Sequence, residues 1–577
     1  MNARDMRFAK PKMPREQQVL FPHYLDELVG ASSPVRILAG LLEEMDWSDW
    51  EKSYMGCGQP PIHPRYLAGA ILYGLLNRER SSRELERAAR KDLDFIWLFE
   101  GFTPDHSTFA EFRTRHGEAI QGLHAEIARK LVMRKEKALL HLIIDGTRIQ
   151  ADSARQGART ADTIEYIIGE LARRMEELKH KDAGECARAA DETTYLEGLV
   201  PEEAPAEAPA FADGEIARIQ KKQAKYQKAL ETARERDERS REHNGAKAKS
   251  VRVPVTDPDA QMLPNKEGGY APNYTPVAAV EAETGAVLYA QVLEGSQESN
   301  AVLPAVEAAQ SLLGQRVEAV LADGNFAAGP VLAELAQQGV DAFMPTRSAS
   351  PADNPALRPD PTVPVAEEDR KRLPRTGGQF SRAAFVYDPG ADAYYCPMGE
   401  ELRPYKRSKS KDGVANVQYE CTACSGCPLA AQCIKGGHEK RNITRDEHEP
   451  LREAADARMA TPEGKALYKT RAPGIETVFG IIKAALGIRR FSLRGLDKVR
   501  IEWTWICTAY NLKKLLALEA KIASQAPQSP IAVTTSGQTG TFLGHRDTQW
   551  SRVNGCFGIP HTISRIIHCD RYLLDVA

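Results

Sequence analysis

The chain has 577 residues, 42% of them hydrophobic, 27% charged and 7% aromatic, an ordinary globular composition in a chain too long for one compact domain. A prior of about 100–200 residues per domain suggests about three to five folding units. Lys and Arg number 77 against 79 acids, so total charge points to neither a nucleic-acid nor a membrane partner, and only local clusters can do so.

No stretch approaches the roughly 18 uninterrupted apolar residues of a membrane helix. The start, MNARDMRFAKPKMPREQQVL, is too polar for a signal sequence, so a cytoplasmic protein with no membrane partner is expected. Residues 1–135 predict a helical bundle. Apolar positions recur at three and four in VRILAGLLEEM and RYLAGAILYGLL, Pro64 stands near the start of the second run, and Ser81–Ser82 before RELERAAR looks like a helix cap. His63, His106 and His116 in this region fit no metal spacing and are expected to be structural.

From Leu139 the pattern changes. LLHLIID is an apolar run of strand length that closes on Asp145 and Gly146. Residues 165–250 turn helical and charged on both sides of a Pro/Ala/Glu segment, which predicts a helical arm with a flexible elbow. Strand character returns in YTPVAAVEAETGAVLYAQVLEG, with Thr284-Gly285 as a hairpin turn. A helix (NAVLPAVEAAQSLLG) follows, then a second short strand, VEAVLAD, closing on Asp323, then a helix (PVLAELAQQG) and a strand (VDAFMPT). This order predicts a mixed sheet flanked by helices. Residues 346–380 read as a long loop, 394–440 as a cysteine-dense segment, and Thr461 to Ser524 as helical, with Val499, Trp503, Ile506 and Tyr510 on one buried face. The tail from Gln525 is expected to be loosely ordered.

Two acids that each end a buried strand of one sheet, Asp145 and Asp323, can lie side by side at its carboxyl edge, where open α/β sheets place their sites. Taken singly, each Asp is more often a turn residue. A third candidate, Glu476, lies in YKTRAPGIETVFGIIKAALGIRR with Tyr468, Arg471 and Lys483. Glu476 and Lys483 are about two helical turns apart and share a face. Five of the ten cysteines, Cys396, Cys421, Cys424, Cys427 and Cys433, fall close together, which in a reducing compartment suggests metal binding. Tetrahedral zinc is the first choice, because a short insert with no core of its own gains folding energy from the metal. An iron–sulfur cluster is the alternative, and the spare cysteine among the five cannot be named.

The sets IIDGTRIQADSA, VLADGNFAAGPVL and Tyr468-x2-Arg471-x4-Glu476-x6-Lys483, together with the helical block from Gly58 to Arg113 and the cysteine segment, resemble bacterial insertion-sequence transposases of the DDE type. Asn325 stands ahead of Phe326 where that family often has a glycine. The resemblance implies an α/β protein with an RNase H-like mixed-sheet catalytic core (136–160, 251–345 and 461–524). It also implies a helical N-terminal DNA-binding domain (1–135), a helical insertion (161–250), a loop with a small Cys-rich insert (346–460) and a tail (525–577). Asp145, Asp323 and Glu476 would hold two Mg²⁺ ions (Mn²⁺ as substitute) for metal-dependent DNA cleavage and strand transfer. Tyr468, Arg471, Lys483, Arg489 and Arg490 would meet DNA, drawn from the element's terminal inverted repeats and the target, and a homodimer on DNA is implied. The alternatives are an inactive transposase-derived DNA-binding protein and a nuclease without strand transfer. Local charge agrees with a DNA partner: residues 465–514 carry eleven Lys/Arg against three acids, and residues 215–249 eleven against six.

Overall fold

The computed structural model describes residues 24–525, apart from 55–59, 135–139, 181–210, 246–247, 265–267, 296, 347–352, 411–412, 435 and 437. The tail and the elbow expected from the sequence lie outside the described residues. The chain divides into two units. The first consists of residues up to Leu131, Gly480–Gly487, and Trp505 onward.

In the first unit, seven helices follow one another: α1 Pro34–Glu43, α2 Ser48–Glu51, α3 Pro64–Leu76, α4 Ser82–Lys91, α5 Leu93–Phe99, α6 His106–Arg115 and α7 Gly117–Met133. Their starts are chemically marked. Pro64 sits at the first position of α3, while Ser81 and Glu84 form a reciprocal capping box at α4. Helix α3 is buried along almost its whole length, so the bundle is built around it. The three histidines have structural partners: Glu51 for His63 at 3.1 Å, Glu86 for His106 at 2.9 Å, and the rings of Phe112 and Trp50 for His116 at 4.7 and 5.0 Å.

The second unit holds a seven-stranded mixed sheet. Its strands are β1 His141–Gly146, β2 Ile149–Gln150, β3 Gln261–Pro264, β4 Tyr270–Glu281, β5 Val287–Leu293, β6 Ala319–Leu321 and β7 Asp341–Phe343. The through order is β5-β4-β1-β6-β7, and β2 and β3 pair with the N-terminal half of β4. Strand β4 runs antiparallel to β1 and β5, whereas β6 is parallel to β1 and β7 to β6. Leu142, Ile143 and Ile144 are fully buried, as expected of a strand covered on both faces. The hairpin turns at Thr284-Gly285: Gly285 takes φ +65°, and the buried Glu281 carboxylate accepts the Thr284 N–H at 2.6 Å. Helices α10 (Val302–Leu313) and α11 (Gly329–Gln337) alternate with the parallel strands.

The insertion forms α8 (Ala161–His180) and α9 (Phe211–Asn244), which pack through Ile164, Ala229 and Ala233 and again through Leu171, Leu178 and Ile219. The cysteine segment departs from expectation. It is a five-stranded antiparallel meander: β8 Val386–Asp388, β9 Ala393–Tyr395, β10 Glu401–Lys409, β11 Ala415–Cys421 and β12 Asn442–Asp446. Its own core contains Tyr394, Leu402, Tyr419 and Ile443, joined by Ala356, Val365 and Phe380 from the preceding loop. The insert therefore has an apolar core besides any metal, because the polar-looking loop supplies apolar side chains at irregular spacing.

The C-terminal helical region is also segmented, as α12 Glu449–Ala460, α13 Pro462–Lys469, α14 Arg471–Gly480, a π-helical turn Ile481–Ala485 and α15 Leu496–Gln525. The break falls between Gly487 at φ +74° and Gly495 at φ +88°, backbone conformations that a continuous helix cannot include. Val499, Trp503, Ile506 and Tyr510 are all buried, as their spacing predicts. Among the described residues, no helix is long and apolar enough to cross a membrane.

His116 makes the bundle acid-sensitive. Burial, and then the neighbouring Arg115 charge, push its ring down to about 4. Between that value and the ordinary 6.5 of an unfolded histidine, unfolding takes up a proton, so stability is lost as pH falls through this window, by at most about 1.4 kcal/mol per pH unit. Denaturant melts at pH 7.5 and 5 should show a smaller loss for His116→Phe than for the unmodified chain.

Candidate active site and thiol cluster

The sheet register brings the two strand-end acids to one edge. Ile143 of β1 pairs with Leu321 of β6 in parallel register, and Asp145 and Asp323 each lie two residues beyond that pair. Asp145 Oδ1 accepts the Gly146 N–H at 2.9 Å, and Asp323 Oδ1 accepts the Asn325 N–H at 2.8 Å. Each acid thus closes a turn, as the turn reading proposed, and both emerge from the carboxyl ends of adjacent parallel strands.

Helix α14 brings the third acid. Gly474 approaches β1 so closely that a methyl group there would lie 2.4 Å from Ile143 Cδ1. Ile475, Val478 and Phe479 are buried, and Glu476 is exposed on the opposite side of the same turn. Upstream, Tyr468 Oη donates to the Ala322 carbonyl at 3.4 Å, tying the start of this block to the residue before Asp323.

The three carboxyl groups act on one another. Burial raises the Asp145 carboxyl above its ordinary range; Arg471 opposes that rise, while Asp323 and Glu476 add to it. Arg471 Nη2 pairs with Asp145 Oδ2 at 3.0 Å, and its Nε is buried with no hydrogen-bond partner among the described residues. The sequence reading placed Arg471 against DNA; in the structure it is the counter-ion of the first acid. A fourth acid, Glu298, was not singled out from the sequence. Burial raises its carboxyl, and Asp323 and Asp145 raise it further, while an Asn325 hydrogen bond opposes them. Its only local signal is an acid in the polar turn ahead of α10.

Arg489 and Arg490 are exposed, with Arg490 Nη2 donating to Gln150 Oε1 at 3.3 Å. Lys483 lies in the π-helical turn, within the first unit. Lys465 and Lys469 are exposed, whereas Arg494 pairs with Asp152 and Arg500 with Asp497. In the arm, Arg234 and Arg239 pair with Glu165 and Glu235, and Arg236 donates to two backbone carbonyls, so much of its basic charge is engaged within the protein.

All five clustered cysteines line one small cavity together with Phe380, Leu429 and Arg441. They are free thiols; Cys427 is half-buried and the other four are buried. A hydrogen bond from Cys421 favours the Cys396 thiolate, which is drawn down to about 7, and Cys396 Sγ also accepts the Met398 N–H at 3.3 Å. Donor chemistry fits a metal at both places, hard carboxylate oxygens at the sheet edge and soft thiols in the insert. As the side chains stand, no group of three or more His, Cys, Asp or Glu among the described residues is arranged to hold an ion. At the sheet edge, Arg471 takes up the charge of Asp145 that a cation would need.

Two segments of the chain match known protein families. Residues 23–115 match the Transposase domain (DUF772), and residues 395–516 match the Transposase DDE domain. The second match takes in the cysteine cluster and Glu476 but begins after Asp145 and Asp323. No curated protein matches the chain.

Gly474→Ala should overpack the β1–α14 contact and destabilise the protein by about 1–3 kcal/mol in urea melts. Ile143→Val removes the atom that the new methyl meets, so adding it to Gly474→Ala should recover part of the loss. A double variant no more stable than Gly474→Ala would remove this contact as the reason for the glycine.

Proposed function

Taking the chain as a DDE transposase of the insertion-sequence type, a polynucleotidyl transferase of DNA transposition, as its two matched segments show, we propose that Asp145, Asp323 and Glu476 are its catalytic carboxylates. The observation that carries this reading is the register of β1 and β6, which sends Asp145 and Asp323 from neighbouring strand ends toward one place, with Glu476 within electrostatic reach. The strand order β5-β4-β1-β6-β7 supports an RNase H-like core.

DDE transposases use divalent metal ions. Here the reading assigns two Mg²⁺ ions, replaceable by Mn²⁺, to the three carboxylates. When bound, such ions supply Lewis acidity that activates a water or 3′-hydroxyl and stabilises the leaving oxygen. The protein's own groups do the positioning. Helix α14, seated on Ile143 through Gly474, presents Glu476, and Tyr468 holds the backbone before Asp323. Arg471 neutralises Asp145 at rest, and its unpartnered Nε suits it to meet a phosphate once that carboxylate is engaged elsewhere. Water attacks the phosphodiester at the element's end and frees a 3′-hydroxyl. That hydroxyl then attacks a target phosphodiester and displaces its 3′-oxygen.

DNA binding follows from the family. The finer reading gives phosphate contacts to Tyr468, Arg471, Lys483, Arg489 and Arg490, and base-directed contacts to the N-terminal helical domain. It also gives the element's terminal inverted repeats and target DNA as substrates, a homodimer that handles two ends together, and a nucleoid-associated cytoplasmic location. The cysteine cluster is assigned structural zinc, supported by five free thiols around one cavity.

With end-bearing DNA and Mg²⁺, Asp145→Ala should keep end binding and lose cleavage and joining by on the order of a thousandfold, about 4 kcal/mol of transition-state stabilisation. Cleavage at the unmodified rate would overturn the assignment, and cleavage without joining in the unmodified protein would favour the nuclease. Elemental analysis of the purified full chain should find about one zinc per chain, lost in Cys421→Ser. Iron with visible absorption in its place would favour the cluster alternative.

A further inference from the structure

Gly146 follows Asp145 at the end of β1, yet its backbone does not require glycine, since it is not among the glycines with positive φ. What requires it is a neighbour. A methyl group at position 146 would lie 2.3 Å from Glu298 Oε1 and 3.1 Å from its Cδ, so the Glu298 carboxyl group occupies the space that any other side chain would fill. On its other side this carboxylate is held by Asn325, two residues after Asp323. Glu298 begins the single 3-10 turn Glu298–Ala301 that leads into α10.

The placement is electrostatically costly. Asp323 and Asp145 are the strongest charges acting on Glu298, both repulsive, and Arg148 contributes less than either. A carboxylate serving only the fold would be set against donors or a paired cation, because like charges brought together in a half-buried place oppose folding. Gathering a further acid here makes physical sense when a multivalent cation is to be bound, since hard divalent ions are held by several carboxylate oxygens.

We propose that Glu298 is a fourth carboxylate ligand of the cation site formed by Asp145, Asp323 and Glu476, and that residue 146 is glycine to admit it. This rests on the reading of those three acids as the cation site. Asn325, at the position where the resembling family often has glycine, is the residue that orients Glu298.

The test uses Mn²⁺ as the probe, titrated into the full chain without DNA and followed by the electron paramagnetic resonance of the free ion, so it does not depend on activity. Glu298→Gln should weaken Mn²⁺ binding about tenfold. Gly146→Ala removes no acid but displaces the carboxylate, and should weaken binding similarly. The double variant should lose no more than either single one, because both act on the same group. In metal-free buffer, Glu298→Gln should melt no lower than the unmodified chain, since it relieves repulsion; a purely structural acid would instead be missed. The proposal is overturned if Glu298→Gln binds Mn²⁺ like the unmodified chain while Asp323→Asn binds weakly. If Asp323→Asn also binds normally, the three-carboxylate reading itself fails.

Discussion

Mutual repulsion among carboxylates at the carboxyl end of β1 is the constraint around which the second unit is arranged. Asp145 lies on the strand that bonds to β4 on one side and β6 on the other, so its place is set by the most extensively bonded part of the sheet. Asp323 comes from the next parallel strand and Glu476 from the helix laid on Ile143. Acids cannot be gathered in this way without a positive partner. In the resting protein Arg471 provides it at 3.0 Å, and the family chemistry calls for divalent ions in the same place. The same guanidinium is thus available to a phosphate only when Asp145 has another cation to face.

Glycine sets the distances. At Gly474 the missing side chain brings helix α14 onto β1, and at Gly146 it leaves room for the Glu298 carboxyl group. Both are close-approach positions and neither takes positive φ, so their role is spatial and differs from that of Gly285, Gly487 and Gly495, which take backbone angles that disfavour other residues. Close packing makes such contacts unforgiving, because a buried Ile143 has no free volume into which to retreat.

The insertions are long in sequence but carry their own internal packing. Helices α8 and α9 bury small and branched residues against each other, and many of their basic side chains are matched by acids or carbonyls. The cysteine insert combines an antiparallel meander, an apolar core and a thiol-lined cavity. Its strands need no metal to be satisfied in hydrogen bonding, so a bound ion would fix the Cys421–Cys433 loop rather than create the whole insert.

Much of this was legible in the sequence, because burial leaves a local signature. LLHLIID and VEAVLAD read as covered strands ending on acids, Thr284-Gly285 as a hairpin turn, and Val499, Trp503, Ile506 and Tyr510 as one buried helical face, and the structure has each of them. The cysteine intervals announced a cluster. Periodicity reports which face of an element is covered, but not by what. It gave no means of seeing that Arg471 faces Asp145 or that a loop without period completes the core of the cysteine insert. Nor did it mark Glu298, an acid in a polar turn, as a neighbour of residues 145 and 323. Those are pairings between distant parts of the chain, settled by strand register, helix seating and electrostatics acting through space, and only the folded chain brings them together.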